Sequence, residues 1–469
     1  MKILYVTSEA NPFAASGGLG DVMGALPAAV AEAGHTTELI MPLYDTVAEK
    51  YRKMMELEIN LSFKLSWRST GASVYKLKLG EVTCHFVENH YYFERGKLYG
   101  EFDDGERFSF FSRAVVEYML SSGNVPDVLH ANDWQTALTV VLLKTEYSYI
   151  EAFGGIKTVF TIHNIEYQGK FDSAILTDVF GLETKYKPVL EYDGCINLVK
   201  GAVVTTDRLT TVSPNYAKEL EHDFFAFGLA PVIKAAEGKM CGVINGIDYG
   251  YFSPETGGDI YEAYSLRNYR SGKAKNKAAL QAELGLKVDK NVPLAVMITR
   301  LTAGKGIDLV LHIIEELLSE NIQIAVLGTG DKEYEQIFRN LAARHENLAA
   351  LIKFDRVISK KMYAGADIFI MPSKSEPCGL AQMIACSYGT VPIVRSVGGL
   401  YDSIVNYGEE GANGFRFDNY NAHELLYTVK KALEVYSDKK KWAALTRSAK
   451  KSDFTWKNSA AKYIEIYNN

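Results

Sequence analysis

The sequence predicts an α/β protein made of two halves, each a parallel sheet wrapped by helices, and three observations carry that reading. First, short apolar runs alternate with longer helix-like stretches: Ile3 to Thr7, Asp21 to Ala33, Glu38 to Met41, Asp127 to His130 and Thr158 to His163. That is the rhythm of strands joined by helical crossovers. Second, the rhythm restarts with the runs Leu294 to Thr299, Ile322 to Leu327, Ala350 to Phe354, Ile368 to Met371 and Pro392 to Val394. Third, 469 residues exceed what one hydrophobic core organises. The ground from Asn245-Gly246-Ile247-Asp248 to Gly257-Gly258-Asp259 is rich in turn residues and contains Pro254. The crossover is placed there, which gives domains of residues 1–245 and 246–469. Asp45 to Asp104 has mixed, partly alternating patterning that is compatible with hairpins and is not assigned further.

Composition narrows the function. Hydrophobic residues at 47% and charged residues at 23% are ordinary for a globular protein. With 51 basic against 57 acidic residues, net -6, bulk charge argues against nucleic-acid or anionic-membrane binding, so an anionic ligand must be met locally. Cys84, Cys195, Cys241, Cys378 and Cys386 form no Cys-x-x-Cys pair and are odd in number, which reads as reduced thiols of a cytoplasmic protein without a zinc site. No apolar run approaches the roughly 18 residues of a membrane span.

Ligands of open α/β sheets bind beyond the carboxyl ends of the strands, so the residues that follow the apolar runs are the candidates. After the first run comes Ser16-Gly17-Gly18-Leu19-Gly20-Asp21, where paired glycines permit close backbone approach to a phosphate and Asp21 can cap the next helix; the same segment also reads as a simple turn. His130-Ala131-Asn132-Asp133-Trp134, His163-Asn164, Arg300 and Gly328-Thr329-Gly330-Asp331 end four other runs. Arg300 and Lys305 put two cations on one short loop, where they can neutralise a departing diphosphate or simply be solvated. Pro372 to Leu380 lies between an apolar run and a helix expected to begin near Cys378. Its amides and Glu376 can hold sugar hydroxyls, although Pro377 and Gly379 also punctuate an ordinary strand-to-helix turn. No Asp-x-Asp triplet is available to hold a divalent cation against a diphosphate.

Together these segments resemble a known family, the bacterial glycogen synthases and plant starch synthases, retaining glucosyltransferases of the two-Rossmann-domain GT-B type. The resemblance runs end to end through Ser8-Glu9, Gly17-Gly18-Leu19, His130 to Trp134, His163 to Gly169, Asn245 to Asp248, Arg300 with Lys305, Glu376 to Gln382, and Gly398-Gly399-Leu400. It implies two Rossmann-like domains facing across a cleft, with room for a C-terminal helix that crosses back to the first. It further implies transfer of glucose from ADP-glucose to the non-reducing 4-hydroxyl of an α-1,4-glucan primer, with retention. Neither a metal nor another cofactor is expected.

By the same resemblance, Arg300 and Lys305 are the diphosphate clamp, with Ser16, Gly17 and the Gly18 amide at the distal phosphate. His163 contacts the donor glucose near its reacting carbon, and Glu376, Gly379 and Leu380 hold its hydroxyls beside a packed Cys378 thiol. Asn245, Gly328 and Phe354 fall on the donor side, Phe354 against the adenine. Glu9, Asp21, Asp133 and Asn164 fall on the sugar and acceptor side. Ile384 occupies the second acidic position of the wider retaining superfamily, eight residues beyond Glu376. Glu376 then works alone, and the leaving phosphate takes the acceptor's proton by front-face chemistry. Many relatives carry Lys-Thr where this chain has Ala15-Ser16, which removes one cation and opens the choice between ADP- and UDP-glucose. The rival readings are a catalytically silent glucan-binding paralogue and a GT-B enzyme with another donor or acceptor. The run His90-Tyr91-Tyr92-Phe93-Glu94-Arg95 is a candidate wall for an acceptor groove.

Overall fold

A computed structural model describes the whole chain, Met1–Asn469. It consists of two units, Met1–Asn245 with Trp456–Asn469, and Gly246–Thr455. The expected second domain of 246–469 is therefore corrected at its end: the last helix, Trp456–Asn468, belongs to the first unit. Its apolar face explains why. Tyr463 and Tyr467 are buried, and the Tyr467 hydroxyl lies 2.8 Å from Nδ1 of His130 and 3.1 Å from the Tyr5 hydroxyl.

The first seven strands of this unit are β1 (Lys2–Val6), β2 (Thr36–Pro42), β3 (Glu56–Leu65), β4 (Arg68–Leu79), β5 (Val82–Glu88), β6 (Val128–Asn132) and β7 (Lys157–Ile162). They join Arg208–Thr211 and Met240–Gly242 in one nine-stranded sheet, in the order Met240–Gly242, Arg208–Thr211, β7, β6, β1, β2, β5, β4, β3. All neighbours are parallel except the β3–β4 and β4–β5 pairs. The unassigned stretch from Asp45 to Asp104 thus supplies a hairpin at the sheet edge and one more parallel strand. In β3, buried Leu61, Phe63 and Leu65 alternate with exposed Asn60, Ser62 and Lys64, the period of a strand with one wet face. The central strands are covered on both sides and therefore read as continuous apolar runs. Strand order reverses at β1, which has β2 on one side and β6 on the other. The loops after β1 and β6 consequently diverge and leave a crevice at that edge.

The second unit holds six parallel strands in the order Leu348–Leu351, Gln323–Leu327, Leu294–Ile298, Ile368–Met371, Val391–Arg395, Phe415–Phe417. In chain order this is 3-2-1-4-5-6, the dinucleotide-fold order, with its reversal between Leu294–Ile298 and Ile368–Met371. The helix Ile307–Ser319 shows how the sequence builds this layer. Val310, Ile313, Ile314, Leu317 and Leu318 recur at helical spacing and all are buried against the sheet. Each such side chain contributes about 1.5–3 kcal/mol by leaving water. The run Ala350 to Phe354 is displaced from its expected place: the strand is Leu348–Leu351, and Phe354 lies beyond it.

Replacing the ring that docks the last helix, Tyr467→Ala, should lower unfolding stability by about 3–5 kcal/mol, read as a reduced urea midpoint. Tyr467→Phe, which removes only the hydroxyl, should cost about 1 kcal/mol.

Candidate active site

In the first unit the candidate residues gather at the edge where strand order reverses. Glu9 follows β1 and is buried, and its carboxylate accepts from the Ser16 amide (2.6 Å), the Ser16 hydroxyl (2.7 Å) and the Gly17 amide (3.1 Å). Here the side chain assigned to the acceptor is engaged in shaping the glycine loop. The helix after that loop begins at Gly18, not Asp21, and Gly17 is its N-cap without a capping side chain. Asp21 therefore lies inside the first turn and accepts from Asn11 Nδ2 at 2.7 Å instead of capping the helix. A Cβ built at Gly17 or Gly18 meets nothing within 4 Å, so the fold does not require glycine at either position. What the pair provides is open access to first-turn amides that have no helical acceptor.

Asp133 follows β6 with φ at 58°, a conformation that costs a non-glycine residue about 1–3 kcal/mol. Its neighbours hold it there. The Asp133 carboxylate accepts from the amide of His163 (2.7 Å) and from that of Asn164, while its own amide donates to the Thr161 carbonyl (3.0 Å). Burial pushes this carboxyl up to about 7 against the pull of those amides. His163 is half-buried, and burial of its ring pushes its pKa down to about 3, so the imidazole is neutral at physiological pH. Asn132 sets the tautomer. Its Nδ2 donates to the carbonyls of Val6 and His130, both at 3.2 Å, which leaves Oδ1 to face His163 Nε2 at 2.9 Å. Nε2 therefore carries the proton, and Nδ1 is a bare acceptor. Asn164 Oδ1 accepts from the Glu166 amide, which closes the turn after His163. His130, by contrast, is enclosed between Tyr467 and Thr161 and is a core residue. Asn245, the last residue before the second unit, is buried with its Oδ1 unpartnered.

In the second unit the loops after the first and fourth strands carry the site. Lys305 Nζ lies 2.6 Å from Glu376 Oε2, and Ser373 Oγ donates to the same oxygen at 3.0 Å. Arg300, on the same loop as Lys305, is exposed and its side chain makes no ion pair or hydrogen bond within the protein. The loops touch backbone to backbone. A Cβ at Gly306 would lie 2.1 Å from the Pro372 carbonyl oxygen, and one at Gly328 only 1.8 Å from that of Thr299. Gly328 is thus explained by packing between loops. Gly379 has φ at 71°, and that left-handed residue postpones the helix, which starts at Ala381 instead of near Cys378. Buried Gln382 holds the corner by donating to the carbonyls of Cys378 (3.2 Å) and Gly379 (2.9 Å) and to Ser403 Oγ (3.0 Å). Cys378 is buried, and Leu380 is the N-cap of the short helix. Phe354 stands apart from this cluster, 81% exposed, with the Arg356 guanidinium 5.8 Å from its ring centre.

Ser373, Gln382 and Asn132 escaped the sequence reading as functional positions. Ser373 and Gln382 reach Glu376 and Cys378 from three and four residues away in the chain. The Tyr420 hydroxyl, 3.2 Å from the Ala303 carbonyl and 2.5 Å from Asp308, braces the Lys305 loop from a distance in sequence that no local pattern reveals. No group of three or more His, Cys, Asp or Glu side chains is placed to hold a metal ion. No helix is long and apolar enough to cross a membrane.

Folded Asp133 takes up its proton near pH 7, whereas an unfolded aspartate does so at about 3.9. The folded state therefore binds more protons across that window, and this group's contribution to stability falls as pH rises through it. Asp133→Asn should remove that slope and gain stability relative to the unmutated chain as pH rises from about 4 to about 7, read from urea midpoints.

The starch synthase catalytic domain model matches residues 2–235, and the glycosyl transferases group 1 model matches residues 281–452. The glycogen synthases of Geobacillus thermodenitrificans (strain NG80-2) and Streptococcus agalactiae serotype III (strain NEM316) are each 42% identical to this chain. Those alignments cover 100% of it and 97% and 99% of the two relatives, respectively. Among solved structures, the catalytic domain of starch synthase IV from Arabidopsis thaliana bound to ADP and acarbose superposes with a TM-score of 0.90 at 33% identity, covering 99% of this chain and 98% of that one. A sucrose-phosphate synthase from Thermosynechococcus elongatus, 16% identical with a TM-score of 0.61 and covering 100% of this chain and 98% of its own, shares the fold alone. Two parallel-sheet units, a Lys–Glu pair at one reversal of strand order and a glycine loop at the other agree with these full-length matches: the chain belongs to the glycogen synthase and starch synthase family of GT-B glucosyltransferases.

Proposed function

We propose that this chain transfers glucose from ADP-glucose to the non-reducing 4-hydroxyl of an α-1,4-glucan with retention of configuration. The observation that carries the reading is the Lys305–Glu376 pair beside an unpartnered Arg300, at the strand-order reversal of a dinucleotide-type sheet. Arg300 offers a planar fork to the diphosphate and Lys305 a point charge, so negative charge that builds on the departing ADP meets two fixed cations. These side chains suffice for that neutralisation in this reading, which asks for no metal. Glu376 Oε2 stays with Lys305 and Ser373, while Oε1, free of protein partners, accepts from a glucose hydroxyl. Neutral His163 presents an acceptor at Nδ1 and no acidic proton, so it orients a sugar hydroxyl and does not protonate the leaving group. The Glu9-ordered glycine loop leaves the Gly18 amide, which has no helical acceptor, to hold a phosphate. Phe354 stacks on the adenine. No second carboxylate stands ready as a nucleophile, and the leaving phosphate removes the acceptor proton on the face where the new bond forms.

Purified protein supplied with ADP-glucose and glycogen should release ADP. Lys305→Ala and Glu376→Ala should each lower kcat by roughly 10²–10³, the cost of one preorganised electrostatic partner. Because the two form one pair, the double variant should be little worse than either single one. Glycogen binding without ADP release would instead identify a silent glucan-binding paralogue. Ala15 is exposed beside the glycine loop, and Ala15→Lys should raise kcat/KM for ADP-glucose roughly tenfold by restoring a cation. Running the same assay with UDP-glucose measures how strictly the donor base is read.

A further inference from the structure

In the second unit, Arg395 and Tyr420 close a circuit of contacts around the two loops that carry Lys305 and Glu376. The loops themselves meet through backbone, where the Lys374 amide donates to the Gly304 carbonyl at 3.0 Å. The Lys374 carbonyl is held in turn. Arg395, the last residue of the strand Val391–Arg395, donates to it from Nη1 at 2.7 Å and reaches the Asp418 carbonyl from Nε at 3.3 Å. Two residues beyond Asp418, the Tyr420 ring centre lies 5.5 Å from the Arg395 guanidinium and 5.8 Å from Lys374 Nζ. The Tyr420 hydroxyl then returns to the first loop. It donates to Asp308 Oδ1 at 2.5 Å, with the Ala303 carbonyl 3.2 Å away. Lys305 sits between those two residues, in the turn Ala303–Lys305 that precedes the helix Ile307–Ser319.

The turn around Tyr420 closes without its hydroxyl. Asn421 caps the next helix by accepting from the amides of His423 (2.9 Å) and Glu424 (3.1 Å), and the Glu424 carboxylate accepts from the amide (3.0 Å) and Nδ2 (2.6 Å) of Asn419. Burial and the Asp308 carboxylate push the Tyr420 phenol up, so the hydroxyl keeps its proton and donates toward the Lys305 loop. Tyr420 and Arg395 are only half-buried, and Asp308 and Lys374 are exposed. Contacts of that kind add little to global stability. Their value is geometric. Lys305 reaches Glu376 Oε2 at 2.6 Å on a flexible four-carbon stem, so the pairing holds only while the two backbones keep their separation. A guanidinium suits that task, because its planar fork sends donors to two loops in fixed directions where an ammonium is a single movable point.

We propose that Arg395 and Tyr420 are positioning residues, which hold the Lys305 loop and the Glu376 loop at the spacing that glucose transfer requires. This rests on the transfer reaction proposed above. Tyr420→Phe keeps the ring and deletes the hydroxyl, and Arg395→Lys keeps the charge and deletes the fork. Each should lower kcat with ADP-glucose and glycogen roughly ten- to a hundredfold, with the KM for glycogen unchanged. In a Lys305→Ala background each should cost only about twofold or less, because the group they position is gone. The preference for ADP over AMP, read by titration calorimetry, should narrow about three- to tenfold in both variants, since the second phosphate meets a displaced clamp. A residue that served stability alone would shift the urea midpoint and leave that preference intact. Unchanged kcat and an unchanged ADP-to-AMP preference in folded Tyr420→Phe overturn the proposal, as does an undiminished loss in the Lys305→Ala background. Should Arg395→Lys fail to fold, Tyr420→Phe decides alone. If the unmutated chain transfers no glucose, the reaction assigned above fails, while the ADP-to-AMP preference still decides whether these residues position the clamp.

Discussion

A carboxylate as enclosed as that of Glu376 cannot stand alone, and the loops at the strand ends of the second unit are organised around satisfying it. Removing an ionised carboxylate from water costs several kcal/mol unless a cation and a hydrogen-bond donor replace the solvent. Lys305 and Ser373 provide both, at 2.6 and 3.0 Å. That arrangement requires the loops after two adjacent parallel strands to approach more closely than side chains permit. The approach is made through backbone: Gly306 abuts the Pro372 carbonyl, and Gly399 donates to the carbonyls of Glu376 and Pro377, both at 3.1 Å. A reversal of strand order opens the crevice, and glycines let its two walls meet beneath it.

The first unit reaches a comparable result with a hydrogen-bond network in place of an ion pair. Backbone amides hold strained Asp133 and backbone carbonyls hold the amide of Asn132, which in turn orients the imidazole of His163. The outcome is a histidine with a defined tautomer and no charge. Such a group can align a hydroxyl without adding positive charge. Arg300 is unengaged, so its fork is available to a ligand without the loss of an internal partner. Lys305 is already paired with Glu376.

Local pattern made much of this legible. The alternation of apolar runs and helical stretches identified two parallel-sheet halves and a crossover near Asn245. The residues placed just beyond those runs, Glu9, Asp133, His163, Arg300, Lys305 and Glu376, do lie at the strand ends, because in a parallel sheet the register of each run dictates which residue emerges at its edge. Chain ends and element starts were less legible. Asp21 has the chemistry of a helix cap but lies inside the first turn, because glycine begins that helix where the Glu9 carboxylate orders the preceding turn. The helix after Glu376 starts only at Ala381, because the left-handed Gly379 precedes it.

What the amino-acid order determined by itself is therefore the fold class and the identity of the groups at the sheet edges, since both follow from hydrophobic period and from residue chemistry. What only the tertiary structure decided is which of those groups are engaged and in what state. The Lys305–Glu376 pairing, the proton on His163 Nε2, the return of the last helix to the first unit through Tyr467, and the circuit from Gly304 through Arg395 to Tyr420 all join residues far apart in the chain. Such contacts arise from burial and hydrogen-bond satisfaction in three dimensions, and local periodicity carries no record of them.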